Sequence, residues 1–248
     1  MGPATPHSAF SSGSRQSVPD RTRKPAQPSA APLIVGLCGG VGSGKSTVAG
    51  LLGRYGAQVL DADAQAQAAL EQDDMKAALV KQFGHDILDP QGRVNRSDLA
   101  RRVFSSEGAA LREWLEDLLH PRIRDQLNDA LGEARNAASP PWCVVLDVPL
   151  LIEGPVRDWC DRIVFVETSE EDRRTRTVAD RGWTADEYTR RETAQASLQD
   201  KRAHADHVVS NKGTMGDLES AVEQLVQLLR PHDRMGSESP ESPRPGTS

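Results

Sequence analysis

Short apolar runs alternate along this chain with longer stretches in which apolar residues recur at three- and four-residue intervals. The run Leu33-Ile34-Val35-Gly36-Leu37-Cys38 carries no charge, as a strand buried on both faces requires. From about Lys45 the pattern changes, and Val48, Leu51, Leu52 and Tyr55 keep helical spacing. Val59-Leu60 predicts a second brief strand ending at Asp61-Ala62-Asp63. Cys143-Val144-Val145-Leu146 predicts a third, Ile163-Val164-Phe165-Val166 a fourth and Val208-Val209 a short fifth. A last helix sets Leu218, Ala221, Val222, Leu225, Leu228 and Leu229 on one face. Strands separated by helices pair in parallel through right-handed crossovers, so the pattern predicts a three-layer α/β fold.

Two connections exceed a plain crossover. Residues 64–141 read as mostly helical, with Leu111, Trp114, Leu115, Leu118 and Leu119 forming an apolar face before Pro121. That length predicts an inserted helical subdomain. Residues 169–205 form a second insert, dense in charge, with Arg173, Arg174, Arg176, Arg181, Arg190 and Arg191.

Composition trims the ends of this picture. Ten of the 16 prolines fall in residues 1–32 and 231–248, which are also Ser-rich and poor in large apolar side chains. Such stretches bury too little surface to offset chain entropy, so both are expected to be disordered and 33–230 to fold as one unit. The N-terminal extension lacks the amphipathic stripe or apolar core of a targeting peptide. Pro6 stands where N-myristoylation wants Ser or Thr. No apolar run approaches the roughly 20 residues that span a bilayer. Cys38, Cys143 and Cys160 are too few for a disulfide framework or zinc site, which points to the reducing cytoplasm. The whole chain carries −6, the N-terminal 32 residues +3 and the tail −1, leaving the core at −8. A core that acidic argues against general nucleic-acid binding.

Chemistry concentrates after the first strand. Gly39-Gly40-Val41-Gly42-Ser43-Gly44-Lys45-Ser46, followed by Thr47, fits G-x-x-x-x-G-K-[ST] between a strand and a helix. Its glycines let backbone N–H groups turn inward around a phosphate, aided by the helix N-terminus. Lys45 can reach the outer phosphates, and the Ser46 hydroxyl can ligate Mg²⁺. Asp61 and Asp63 stand at the carboxyl end of the second strand, where ligands collect in parallel sheets. The chain is expected to stay extended from Asp61 through Asp63. One is a candidate base toward an acceptor hydroxyl, whereas Asp63 is equally suited to cap the following helix. Asp147, ending the third strand, has the Walker-B position that holds magnesium. Arginines of the second insert suit transferred negative charge, although a solvated helix face is the ordinary reading of such a run.

Taken in order, GGVGSGKST, DAD, Leu118-Leu119-His120-Pro121, DVPLL and the later AQ…KRAHADHVVSNKG resemble the dephospho-coenzyme A kinase family. The resemblance runs through essentially all of 33–230. It implies a P-loop kinase fold, a parallel five-stranded sheet with a helical substrate-binding insertion and a lid. It also implies transfer of the ATP γ-phosphoryl group to the ribose 3′-hydroxyl of dephospho-CoA, with Mg²⁺. Residue by residue, it makes Asp63 the general base, with Asp61 beside it on the acceptor side. Gly42, Ser43, Gly44, Lys45, Ser46 and Thr47 are implied to bind the ATP phosphates, with Ser46 and Asp147 toward the metal. Leu119, His120 and Pro121 fall in the acceptor domain, and Asn211 and Gly213 near adenine. Arg181 matches the lid arginine, with Arg176 as its rival. Cys38 departs from the Thr common at that position.

Two other readings compete. A P-loop kinase for another nucleoside or nucleotide acceptor would share everything but the insertion. The other is a nucleotide-dependent switch that binds effectors; its guanine-specific form needs N-K-x-D, and Asn211-Lys212-Gly213-Thr214 lacks the Asp. Neither oligomeric state nor the role of the tails is legible.

Overall fold

The computed structural model describes residues 31–230, except 104, 106 and 107 and the side chains of Asp180 and Arg181. The terminal stretches expected to be disordered otherwise lie outside the described residues. Five strands, β1 (Leu33–Gly39), β2 (Gln58–Asp61), β3 (Cys143–Asp147), β4 (Arg162–Glu167) and β5 (His207–Ser210), form one parallel sheet in the order β2-β3-β1-β4-β5. Strand order reverses at β1, the first strand, which puts the crevice of an open α/β sheet at its carboxyl end.

Alternation along β1 divides two cores. Val35 and Leu37 face a layer formed by α1 (Lys45–Arg54) and α9 (Met215–Leu229), packing with Val48, Leu52, Val222 and Leu225. Ile34 and Cys38 face the opposite side, with Val144, Leu146, Ile163 and Phe165. There the carboxyl-terminal half of α5 (Ala109–Asn136) covers the sheet through Leu127, Leu131 and Ala134. Cys38 is therefore a packing residue, and burial pushes its thiol up to about 11.

The segment between β2 and β3 holds α2 (Ala62–Leu70), α3 (Asp73–Phe83), α4 (Arg96–Val103) and α5. Met75, Leu79, Ile87, Leu99 and Val103 build a third core, against which Leu111, Trp114, Leu115, Leu118 and Leu119 pack. One helix of 28 residues, continuous through Pro121, thus joins this core to the sheet. At about 1.5 Å per residue it spans roughly 42 Å.

Between β4 and β5 the charge-dense insert resolves into α6 (Glu170–Arg181), α7 (Ala185–Thr193) and α8 (Leu198–Ala203). Each opens on a hydroxyl: Ser169, Thr184 and Ser197 accept from the backbone N–H of Asp172, Glu187 and Asp200. Thr214 begins α9 the same way, with Asp217 completing a reciprocal capping box.

Two sequence expectations change. The chain does not stay extended through Asp63; it turns into α2 at Asp61, whose carboxylate accepts from Asp63 N at 2.8 Å and Ala64 N at 3.2 Å. Asp61, not Asp63, is the cap. Leu228, expected on the buried face of the last helix, is 72% exposed. Leu218, Val222, Leu225, Val226 and Leu229 already fill the inward positions, and Leu228 falls off that stripe. Among the described residues, no helix is long and apolar enough to cross a membrane.

Candidate active site

The loop from β1 to α1 curls into a nest because its glycines adopt conformations closed to other residues. Gly42 has φ +73°, and a Cβ there would stand 2.8 Å from the Arg173 carbonyl. Gly44, at φ +86°, caps α1 in the left-handed region. The amides of such a turn and the N-terminus of α1 together suit a phosphate chain. Lys45 begins α1, and its Nζ donates to the Gly40 carbonyl at 3.2 Å.

The back of the loop is braced by buried side chains. Ser43 is fully buried, and its carbonyl accepts from Thr168 Oγ1 at 2.9 Å and Asn211 Nδ2 at 2.8 Å. Its own hydroxyl has no partner among the described residues. Lys201, also buried, donates from Nζ to Gln195 Oε1 at 2.6 Å and to the Gly39 carbonyl at 3.5 Å. Glu153, on the segment after β3, lies 3.6 Å from the same ammonium.

At the front, two carboxylates sit side by side at the sheet's carboxyl edge. Asp147 ends β3 directly beside Asp61 of β2 in the parallel register. Ser46 Oγ donates to Asp147 Oδ2 at 2.6 Å. Among the described residues, no group of three or more His, Cys, Asp or Glu is arranged to hold a metal. The hydroxyl and carboxylate of Ser46 and Asp147 instead make an oxygen-only pair, which fits a magnesium ion retaining most of its waters. Asp63 stands exposed in the first turn of α2.

Arginines line the side facing α6. Arg176 NH1 would lie 3.7 Å from a Cβ at Gly44, and its NH2 donates to the Asn211 carbonyl at 3.4 Å. Arg173 is buried against Gly40 and paired with Glu192 of α7, whose second oxygen accepts from Val41 N at 3.0 Å.

The expected residues thus divide. Gly42, Ser43, Gly44, Lys45, Ser46, Thr47 and Asp147 gather at the switch point, with Arg176 against them. Asp61 spends one carboxylate oxygen on the helix cap, although it was expected toward the acceptor. Asn211 was expected near adenine; its amide is bonded to the loop's Ser43 carbonyl. Gly213 packs against Asp217, where a Cβ would come 2.5 Å from Oδ2. Leu119 packs into the third core, while His120 and Pro121 are exposed on α5, which packs along α2. The Arg181 side chain lies outside the described residues. Sequence reasoning held no pointer to Thr168 or Glu192, named Arg173 only as one of six insert arginines, and carried Lys201 only within the KRAHADHVVSNKG stretch. The capping pattern S/T-x-x-D/E at Ser169, Thr184 and Ser197 was the available signal, because it sets where each helix of the insert starts and hence which face turns to the loop.

A family model described as dephospho-CoA kinase matches residues 33–217. A dephospho-CoA kinase of Corynebacterium diphtheriae is 40% identical over 195 residues, covering 78% of this chain and 96% of that protein. One from Thermobifida fusca is 37% identical over 199 residues, covering 80% and 96%. The crystal structure of TT1252 from Thermus thermophilus superposes with a TM-score of 0.63 at 35% identity, covering 81% of this chain and 100% of that one.

Proposed function

The chain belongs to the dephospho-CoA kinase family, which transfers a phosphoryl group from ATP to dephospho-CoA in the last step of coenzyme A synthesis, and we propose the following division of labour among its residues. The observation that carries it is the Ser46–Asp147 contact at the mouth of the glycine nest, one strand away from the turn that presents Asp63.

The amides of residues 42–47 hold the ATP phosphates, and Lys45 swings from the Gly40 carbonyl to the outer phosphate oxygens. Ser46 and Asp147 would hold Mg²⁺, which would supply charge neutralisation for the transferring phosphates when bound. Asp63 orients the ribose 3′-hydroxyl and accepts its proton as the new O–P bond forms and the bond to ADP breaks. Its exposure suits that task, since a bulky acceptor must reach it. The acceptor lies along α2 and α5, within the insertion 64–141, with Leu119, His120 and Pro121 toward it. The lid region 169–205 brings Arg176 or Arg181 to the phosphates and excludes water as a competing acceptor. We place the enzyme in the cytoplasm, where three thiols stay reduced.

Phosphoryl transfer asks little covalent chemistry of the protein; alignment and charge neutralisation supply the rate. The test is ADP formation with and without dephospho-CoA, beside a panel of nucleosides and nucleotides at equal concentration. Acceptor-dependent ADP release confined to dephospho-CoA is expected. Equal turnover with another acceptor would move the insertion's specificity elsewhere.

A further inference from the structure

The amide of Val41, on the phosphate loop, already holds an anion, and that anion belongs to the protein. Glu192 Oε2 accepts from Val41 N at 3.0 Å, while its Oε1 pairs with Arg173 NH1. Arg173 is deeply buried, its side chain 4% exposed. Its guanidinium lies over the Tyr188 ring at 5.8 Å and against Gly40, where any Cβ would strike it. Its Nε finds no hydrogen-bond partner among the described residues. A cation with unspent donors, buried beside a loop built for phosphate, is paired among the described residues with a carboxylate from a neighbouring helix. Tyr188 and Glu192, four residues apart on α7, present the same face to this cation.

We propose that Glu192 occupies part of the phosphate site in the nucleotide-free enzyme, and that ATP displaces it and takes over both contacts. Arg173 then becomes a ligand of the phosphate chain, and Glu192 sets how tightly ATP binds. The exchange keeps the cation paired: one anion leaves the Val41 amide and the Arg173 fork as another arrives, so the buried guanidinium is never left uncompensated. A carboxylate and a phosphate oxygen make the same charge-assisted bonds to an amide and a guanidinium. The release of Glu192 also gives α7 a reason to move when nucleotide binds. This rests on the loop being the ATP phosphate site, as proposed above.

Calorimetric titration of ATP into the full chain, without acceptor, tests it. Wild-type binding tests the site itself; no ATP binding by folded wild type would end that reading before Glu192 is considered. Glu192→Gln keeps the shape but removes the competing charge. Its expected effect is about a five- to tenfold tighter Kd for ATP, because the binding-competent fraction rises. A merely structural pair predicts the opposite, since losing it loosens the loop. An unchanged or weaker Kd therefore overturns the proposal. Arg173→Lys on the Glu192→Gln background keeps the charge and gives up the fork. It is expected to weaken ATP at least about tenfold relative to Glu192→Gln alone; an unchanged Kd removes Arg173 from the phosphates.

Discussion

The two sides of the crevice are built in opposite ways. On the nucleotide side, Ser43, Arg173, Lys201 and Asn211 are all more than nine-tenths buried, and they tie the loop to segments far away in the chain. On the side we propose for the acceptor, Asp63, His120 and Pro121 stand exposed over a small core of their own. That core is fastened outwardly by ion pairs such as Arg102 with Asp86 and Asp98. A phosphate chain is held by backbone amides, whose positions are useful only when rigid. An acceptor larger than its reacting ribose needs an open approach. Rigidity is therefore spent on one substrate and access on the other.

Replacing Asp63 by Asn presses hardest on the exposed side. A fall in kcat of about 10²–10⁴-fold is expected, with ATP affinity and melting temperature unchanged. Near-normal turnover would take the base away from α2 and dissolve the division. Gly42→Ala probes the rigid side, combining a positive φ with a Cβ 2.8 Å from the Arg173 carbonyl. It should cost about 1–3 kcal/mol in thermal or denaturant melting and weaken ATP in parallel. A variant as stable as wild type would show the loop to be pliant.

The smallest effect concerns acid. Hydrogen bonds from Arg101 and Arg102 hold the Asp98 carboxyl below its ordinary range, and Arg102 does the same to Asp86. With folded values below the unfolded one, this stabilisation is complete above the unfolded pKa of about 3.9 and is lost as pH falls through the folded values. Hydrogen exchange followed down to about pH 3, read as protection relative to the intrinsic rate at each pH, should show α4 losing protection while β1 and β3 keep it. The change is expected to be slight, because exposed pairs are screened. Uniform exchange across both regions would blur the contrast.

Much of this was legible before folding. The five strands were visible because parallel strands buried on both faces leave unbroken apolar runs, as in Cys143-Val144-Val145-Leu146. The phosphate loop was visible because its chemistry is carried by backbone in consecutive residues, so spacing and composition suffice to mark it. The Asp61 turn was misread for a local reason: an Asp after two strand residues fits an extended chain or a cap equally well. Leu228 was misplaced because an apolar residue at the stripe's edge looks the same from sequence whether it faces in or out.

Local patterning was enough for the sheet, its crossovers, the glycine nest and the residues we propose to touch phosphate through their backbone. Those features depend on neighbours within a few positions, where φ/ψ preference and periodicity act. Only the tertiary structure decided that Thr168 and Asn211 hold the Ser43 carbonyl and that Lys201 reaches Gly39. It also set Glu192 on the Val41 amide, 151 positions away. Such contacts have no local signature. They follow from helices packing on a sheet whose strand order differs from chain order, which brings β5 and the α6–α8 insert to the side of β1 where the loop begins.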